Sequence, residues 1–232
     1  MTKQKIFEKI QEQIRQEIYP GASLALYQAG QWQEFYFGLA DPQESKATQA
    51  GLVYDLASVS KVVGVGTLAA FLYKQGKLGL DLPLQNYYPA FHREDVTVRQ
   101  LLTHTSGLDP FIPNRDQLTA PELKEALNHL TVLEDKTFRY TDVNFLLLGF
   151  MLEEIYGQPL EQIFQSQIFR PWGLAETGFG PVSGAVPTVR GVQDGQVHDP
   201  KARVLGVHAG SAGLFSTLRD LEMFLEHYLQ DD

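Results

Sequence analysis

The stretch YDLASVSKVVGVGTLAAFLY, residues 54–73, is almost entirely apolar from Val59 onward and predicts a buried helix. One charged side chain, Lys61, lies inside it, three residues after Ser58. A buried ammonium group without a partner is strongly unfavourable, and lysine is among the residues least often fully buried. Lys61 therefore either reaches solvent at the end of the helix or serves a chemical purpose.

The spacing of Ser58 and Lys61 allows a chemical interpretation. Residues i and i+3 lie on one face of a helix, so the serine hydroxyl and the lysine amine can reach each other. Helix N–H groups near the first turn favour a developing anion, and a desolvated lysine can take up the hydroxyl proton. In the alternative interpretation Ser58 caps the helix and Lys61 extends into water. These two residues alone leave both interpretations open.

A second candidate site lies at Tyr140-Thr141-Asp142, just before a predicted helix over Val143–Tyr156. A tyrosine at such a junction can place its phenol in a cleft, where a neighbouring cationic lysine would assist proton transfer. The alternative is a half-buried aromatic ring beside Asp142, which would act as the helix N-cap.

Composition limits the classes of function. The chain has 232 residues, of which 44% are hydrophobic and 20% charged, and its formal net charge is -9. No Lys/Arg-rich run is present, so we expect no nucleic-acid partner. The absence of cysteine excludes disulfides and thiolate metal sites, and the spacing of the histidines indicates no metal site.

The N-terminal segment 1–18 alternates charged and apolar residues at helical spacing and lacks the apolar core of a signal peptide. No apolar run is long enough to cross a bilayer. We therefore expect a cytoplasmic protein without a membrane span, whose partner is a small-molecule substrate.

Periodicity and turn residues predict a mixture of helices and strands. Residues 173–209 are rich in Gly, Pro and Val and show no helical period. The strands are predicted over 22–29 and 32–38, and the main helices over 3–18, 58–74, 120–130, 143–156 and 217–230.

Two further patterns imitate known motifs. Gly64–Ala69 matches a dinucleotide-binding fingerprint, but it lies inside the predicted helix instead of following a strand. Residues 209–213 imitate a hydrolase nucleophile elbow, but the Asp and His partners that should follow at a distance are missing. We therefore predict no cofactor.

Taken together, these stretches resemble the serine β-lactamase and penicillin-binding-protein superfamily, in its class C and esterase-like branch. Several long matches occur in the same order along nearly the whole chain, which is far more specific than Ser58 and Lys61 alone. The matching stretches are PGASLALYQAG (20–30), YDLASVSKVV (54–63), LGLDLPLQNYYP (78–89), VTVRQLLTHTSGL (96–108), FRYTDVNFLLLGFMLEEIYGQPLEQIFQSQIFRPWGL (138–174) and VHDPKARVLGVHAGSAGLFSTLRDLEMFL (197–225).

The resemblance implies an α+β fold with an antiparallel sheet flanked by helices and an all-helical region. Residues 1–75 would hold the first strands and the nucleophile helix. Residues 76–205 would be mainly helical and hold the tyrosine motif, and residues 206–232 would return to the α/β part.

The resemblance also implies roles for the candidate residues. Ser58 would be the acylated nucleophile, Lys61 its proton partner and Tyr140 the second acid–base group. Asp142 would contact substrate where the family usually has Asn, and its carboxylate offers no amide donor. The implied activity is hydrolysis of an ester or amide through an acyl-enzyme. The alternatives are a D,D-carboxypeptidase or β-lactamase, and an inactive binding or sensor module.

The family's third motif, Lys/His-Thr/Ser-Gly, follows much later in relatives. His208-Ala209-Gly210 fits it only superficially and comes too early in the chain. We therefore expect His208 to lie outside the cleft and the chain to lack its C-terminal part. With few partners for strands 22–29 and 32–38, we expect an incomplete sheet with an open edge beside Ser58. The apolar surface of the helix 59–73 should be exposed or covered by a neighbouring molecule.

Overall fold

The computed structural model describes residues 2–188 and 195–230, and it combines helices with two small antiparallel sheets. The predicted α+β class is confirmed. Residues 189–194, which belong to the predicted irregular stretch 173–209, lie outside the described residues. The same is true of Met1 in the predicted segment 1–75 and of residues 231–232 in the predicted segment 206–232.

The N-terminal layer is a β-hairpin covered by a helix. Strand β1 (Gly21–Gln28) pairs antiparallel with β2 (Gln31–Asp41), and α1 (Lys3–Arg15) packs on β2 through aromatic side chains. Ala29 and Gly30 form the connecting turn with φ angles of 52° and 80°, the left-handed conformation that suits a two-residue hairpin turn. The predicted helix and both predicted strands are confirmed.

A second small sheet joins distant parts of the chain. The strand β3 (Lys46–Ala47) extends the hairpin, whereas β4 (Val53–Asp55), β5 (Gly178–Phe179) and β6 (Leu214–Thr217) form a separate sheet in the order β4-β6-β5. Among the described residues neither sheet exceeds three strands, and β1 has a strand partner on one side. The expectation that this part of the chain forms no closed sheet of five or more strands is confirmed, and the open edge beside Ser58 stays a prediction.

The apolar stretch from Val59 onward is helical, but its geometry changes along its length. A 3₁₀ turn over Ala57–Val59 precedes a π-helical segment over Lys61–Gly66, which continues into α2 (Thr67–Lys74). The Thr67 hydroxyl donates to the Val62 carbonyl at 2.8 Å, so a carbonyl of the widened turn keeps a partner.

One side of this helical segment carries exposed apolar side chains. Val59, Val62 and Tyr73 are 50–57% exposed, whereas the opposite side is buried in the core. The predicted exposed apolar surface is therefore confirmed.

The helical region is built around α5, in which ten consecutive residues from Val143 to Leu152, all apolar except Asn144, are buried. A helix that is buried on all sides has neighbours on all sides, and these neighbours fix the position of its N-terminus. None of the helices in the described residues is long and apolar enough to cross a membrane. The helices of this region are α3 (Val98–Leu102), α4 (Ala120–Asn128), α5 (Asp142–Tyr156) and α6 (Leu160–Phe164), the last continuing as a π-helical turn over Gln165–Phe169.

The prediction that Asp142 is the N-cap of α5 is wrong. Thr141 occupies the cap with an extended backbone (φ -154°, ψ 144°), and Asp142 is the first helical residue. A carboxylate in the first turn is electrostatically favoured and does not have to fold back onto the helix end. The Asp142 side chain is therefore available for contacts with other elements.

The stretch predicted to have no helix contains α7 (Pro200–Leu205). The Asp199 side chain caps it by accepting the Ala202 N–H at 2.8 Å, and Pro200 occupies the first turn. Its six residues are too few to show a helical period in the sequence. The last helix, α8 (Leu218–Leu229), agrees with its prediction.

The predicted division into segments 1–75, 76–205 and 206–232 stays a prediction. The pairing of β4 with β6 is consistent with it, because these strands bring the first and third segments into one sheet.

Replacing Gly210 with alanine is expected to destabilise the protein. A Cβ there would lie 2.3 Å from the Phe145 carbonyl oxygen and 3.0 Å from the Gly149 Cα, both backbone atoms of α5. Backbone cannot give way as a side chain does, so we expect a loss of about 1–3 kcal/mol. Thermal unfolding should show a lower Tm, by roughly 2–4 °C for each kcal/mol in a chain of this size.

The matched control is Gly178→Ala, because no atom lies within 4 Å of the added Cβ. Equal melting temperatures for the two variants would contradict the close approach of residue 210 to α5.

Candidate active site

Ser58 is exposed on the 3₁₀ turn that follows β4. The carboxylate of Asp55, at the end of β4, accepts the Ala57 N–H at 2.8 Å and the His198 N–H at 2.9 Å. Ala57 has a φ of +44°, a conformation that a non-glycine residue adopts only when its surroundings hold it there. The turn that presents the Ser58 hydroxyl is thus held by hydrogen bonds from two parts of the chain.

Lys61 is buried, and its ammonium group does not reach solvent. Its side chain is 4% exposed, and its Nζ donates to Ser58 Oγ at 3.0 Å, to Asp142 Oδ1 at 2.8 Å and to the Ser211 carbonyl at 2.8 Å. An ammonium group has three protons, and these three acceptors use all of them. The alternative in which Lys61 extends into water is therefore wrong.

Asp142 lies between two lysines. Its Oδ1 accepts from Lys61, and its Oδ2 lies 3.2 Å from the Nζ of Lys201 on α7. Burial raises the pKa of the Asp142 carboxyl, but the hydrogen bond and charge of Lys61, together with Lys201, outweigh burial and hold that pKa below its ordinary value. Asp142 is therefore an anion at neutral pH and ties the nucleophile segment to α5 and α7.

Tyr140 lies on the open side of the same group. Its ring centroid is 5.3 Å from Lys61 Nζ, a cation–π distance, and the side chain is 53% exposed. Ser58, Tyr140 and Asp142, which the sequence singled out, thus all contact Lys61. Their catalytic roles remain predictions.

His104 packs against Tyr140, and the sequence did not indicate this role. Its ring lies 4.6 Å from the Tyr140 ring, its carbonyl accepts the Arg139 N–H at 2.9 Å, and its Nδ1 faces the Thr141 N–H at 3.4 Å. His104 therefore contacts Tyr140 and both residues that flank it.

Hydrogen bonds between buried side chains determine whether His104 Nδ1 carries a proton. Ser106 Oγ donates to Asn144 Oδ1 at 2.7 Å, so Asn144 Nδ2 is the group that faces His104 Nδ1 at 3.0 Å. His104 Nδ1 consequently accepts and carries no proton. Burial, with a smaller contribution from the Lys61 charge, lowers the pKa of His104 and agrees with a neutral imidazole.

The sequence contained one indication of these buried hydrogen bonds. Asn144 stands alone among apolar residues of α5 and is fully buried, and a buried amide needs hydrogen-bond partners.

His208 lies away from this group, as expected. Its Nδ1 pairs with Glu153 Oε1 at 2.6 Å. Glu153 follows Asp142 by eleven residues on α5, which corresponds to about 16 Å along the helix axis. The described residues contain no group of three or more His, Asp or Glu side chains that could hold a metal ion.

Replacing His104 with asparagine is expected to change how stability depends on pH. The pKa of His104 is lowered on folding, so between that value and about 6.5 the unfolded chain binds the proton and the folded chain does not. Stability of the wild type should therefore fall as pH decreases through this window. The slope is at most about 1.4 kcal/mol per pH unit for one proton.

Asparagine tolerates the left-handed φ of +57° at this position and offers an amide oxygen as acceptor. Urea unfolding at a series of pH values should give a shallower slope below pH 6.5 for His104→Asn than for the wild type. Parallel curves for the two proteins would show that His104 does not fold as a neutral group.

The family model named Beta-lactamase matches residues 6–232 of the chain. A curated protein of Escherichia coli (strain K12), named "Putative D-alanyl-D-alanine carboxypeptidase", is 30% identical over 229 residues, which cover 81% of this chain and 52% of that protein. The chain thus spans about half the length of this curated relative.

Solved structures show the same fold. The hydrolase EstCE1, described as having promiscuous acyltransferase activity, superposes with a TM-score of 0.78 at 23% identity, covering 97% of this chain and 71% of that one. A class C β-lactamase from Rhodobacter sphaeroides gives 0.74 at 24% identity, covering 97% and 65%. With a family model that matches almost the whole length, the chain belongs to the Beta-lactamase family.

Proposed function

We propose that the protein is a serine hydrolase that forms an acyl-enzyme on Ser58 with an ester or amide substrate. The observation that carries this proposal is the 3.0 Å hydrogen bond between the buried Lys61 Nζ and the exposed Ser58 Oγ. A hydroxyl becomes a nucleophile when a neighbouring base takes its proton. Lys61 is the one basic group in contact with it among the described residues.

The proposed reaction has two halves. After Lys61 has lost one proton, it accepts the Ser58 proton while Oγ bonds to the substrate carbonyl carbon. The bond from that carbon to the leaving group then breaks, and the leaving oxygen or nitrogen takes up a proton from the Tyr140 hydroxyl, which Lys61 replaces with the proton that it took from Ser58. Water attacks the resulting ester in the second half and releases the acid, which regenerates the Ser58 hydroxyl.

The surroundings of Lys61 suit this cycle. The Ser211 carbonyl and Asp142 hold Nζ in place, so the amine stays directed at Ser58 in either protonation state. The exposed Tyr140 ring lies 5.3 Å from this amine, and we assign its hydroxyl proton transfer to the leaving group.

We infer that esters are preferred to amides and β-lactams. Asp142 stands where an asparagine would donate an amide N–H to an acyl amide, and a carboxylate only accepts. The second candidate is a D,D-carboxypeptidase, which is favoured by the name of the Escherichia coli relative.

The test compares initial rates on p-nitrophenyl butyrate, a chromogenic cephalosporin and an acyl-D-alanyl-D-alanine peptide, using the protein as its gene encodes it. We expect ester hydrolysis to be fastest. Faster release of D-alanine would favour the carboxypeptidase, and faster cephalosporin opening would overturn the substrate order. Turnover of none of the three would support an inactive binding module.

A further inference from the structure

Lys201 is a buried lysine that no step of the proposed reaction uses. It lies in the second position of α7, its side chain is 10% exposed, and its Nζ is 3.2 Å from Asp142 Oδ2 and 3.6 Å from Asp199 Oδ2. Lysine is seldom buried unless it is paired, so this position requires an explanation. Its main partner is the same carboxylate that binds Lys61.

Asp142 lies between two cations, and one of them, Lys201, also lies 3.6 Å from the Asp199 carboxylate, which stays unchanged in every variant below. Lys61 binds one carboxylate oxygen and Lys201 the other, so the three groups together carry one positive charge. An asparagine at position 142 with Lys61 alone would carry the same charge. Removing Lys201 would leave the whole carboxylate to Lys61 and favour its protonated form, in which it cannot act as a base.

We propose that Lys201 is a positioning residue that balances the charge of Asp142, so that Lys61 can lose its proton and serve Ser58. This proposal rests on the function proposed above. Lys201 occupies Oδ2 and so also fixes the carboxylate plane that presents Oδ1 to Lys61. An ordinary structural ion pair would hold α7 against α5 without affecting how the reaction depends on pH.

Several charged or titratable groups in the described residues lie near the Asp142 carboxylate and can affect how the reaction depends on pH. These groups are Lys61 on the nucleophile segment, Lys201 and Asp199 at α7, and Tyr140 and His104 on the loops beside α5. Only Lys201 and Asp142 are changed, so the contributions of the others stay constant.

The experiment measures kcat/KM for p-nitrophenyl butyrate between pH 5 and 10. In Lys201→Met, which keeps the apolar stem, the pH of half-maximal kcat/KM should move upward by about one unit or more, the size expected for one charge in a partly buried cluster. In Asp142→Asn it should move downward. Lys201→Arg keeps the charge, and its midpoint should stay at the wild-type value.

The double variant Asp142→Asn/Lys201→Met again carries one positive charge beside Ser58, so its midpoint should return toward the wild-type value. This variant keeps the test informative if Lys201→Met folds poorly, because it leaves no unpaired buried carboxylate.

An active Lys201→Met enzyme with an unmoved midpoint, or an equal loss at every pH, would overturn the role of Lys201 and leave Ser58 and Lys61 as proposed. A wild type without turnover would overturn both proposals.

Discussion

Replacing Ser58 with alanine is expected to reduce ester turnover to the uncatalysed background, a loss of about 10⁴-fold or more. The change removes the atom that bonds to the substrate carbonyl, and Lys61 keeps its contacts with Asp142 and Ser211. Because the side chain is exposed on its turn, the variant should fold as the wild type does. Initial rates with p-nitrophenyl butyrate give the comparison.

Ser60→Ala is the matched control from the same motif. Its Oγ is buried and accepts the Leu214 N–H at 3.2 Å, so its loss should lower stability by about 1 kcal/mol and retain turnover. Near-wild-type turnover by Ser58→Ala, or an equal loss in both variants, would refute the assignment of the nucleophile.

Replacing Lys61 with methionine is expected to lower kcat/KM by about 10³-fold or more, since members of a catalytic unit fail together. Methionine fills the buried space, and Asp142 keeps Lys201 as its partner, so the carboxylate is not left without a cation. The loss should therefore appear in activity more than in the free energy of unfolding.

Lys74→Met is the control for a lost lysine on the same helical segment, because Lys74 is exposed at the end of α2. It should keep wild-type kcat/KM. Activity of Lys61→Met within tenfold of the wild type at every pH would show that another group takes the Ser58 proton.

The sequence predicted the elements whose signals are local. The alternation in β1 and β2 with Ala29-Gly30 between them defined the hairpin, and the apolar run of α5 defined the central helix. The spacing of Ser58 and Lys61 was enough to bring their side chains together, because it depends only on helical geometry.

The features that the sequence did not predict depend on contacts between residues that are distant in the chain. Tyr54 pairs with Ser216 across two short strands, neither of which is long enough to show alternation. Lys61 finds one of its three acceptors in the Ser211 backbone carbonyl, and a carbonyl is present at every residue and leaves no mark in the sequence. The contact of Lys201 with Asp142 was not predicted because the two residues lie on different helices.

The prediction of Asp142 as a helix cap failed for an identifiable reason. Thr141 and Asp142 are both good capping residues, and the sequence offers no means to choose between neighbouring candidates. The choice of Thr141 leaves the Asp142 carboxylate to two lysines that are distant in sequence.

Covalent labelling can establish whether Ser58 is the nucleophile and whether Lys61 activates it. The protein as its gene encodes it is treated with an alkyl fluorophosphonate, and the modified residue is located by mass spectrometry of the tryptic peptide covering residues 47–61, which extends to 47–74 in Lys61→Met. We expect a single adduct on Ser58, absent in Ser58→Ala and formed far more slowly in Lys61→Met. An adduct on Ser60 or on another residue, or labelling of Lys61→Met at the wild-type rate, would contradict this expectation.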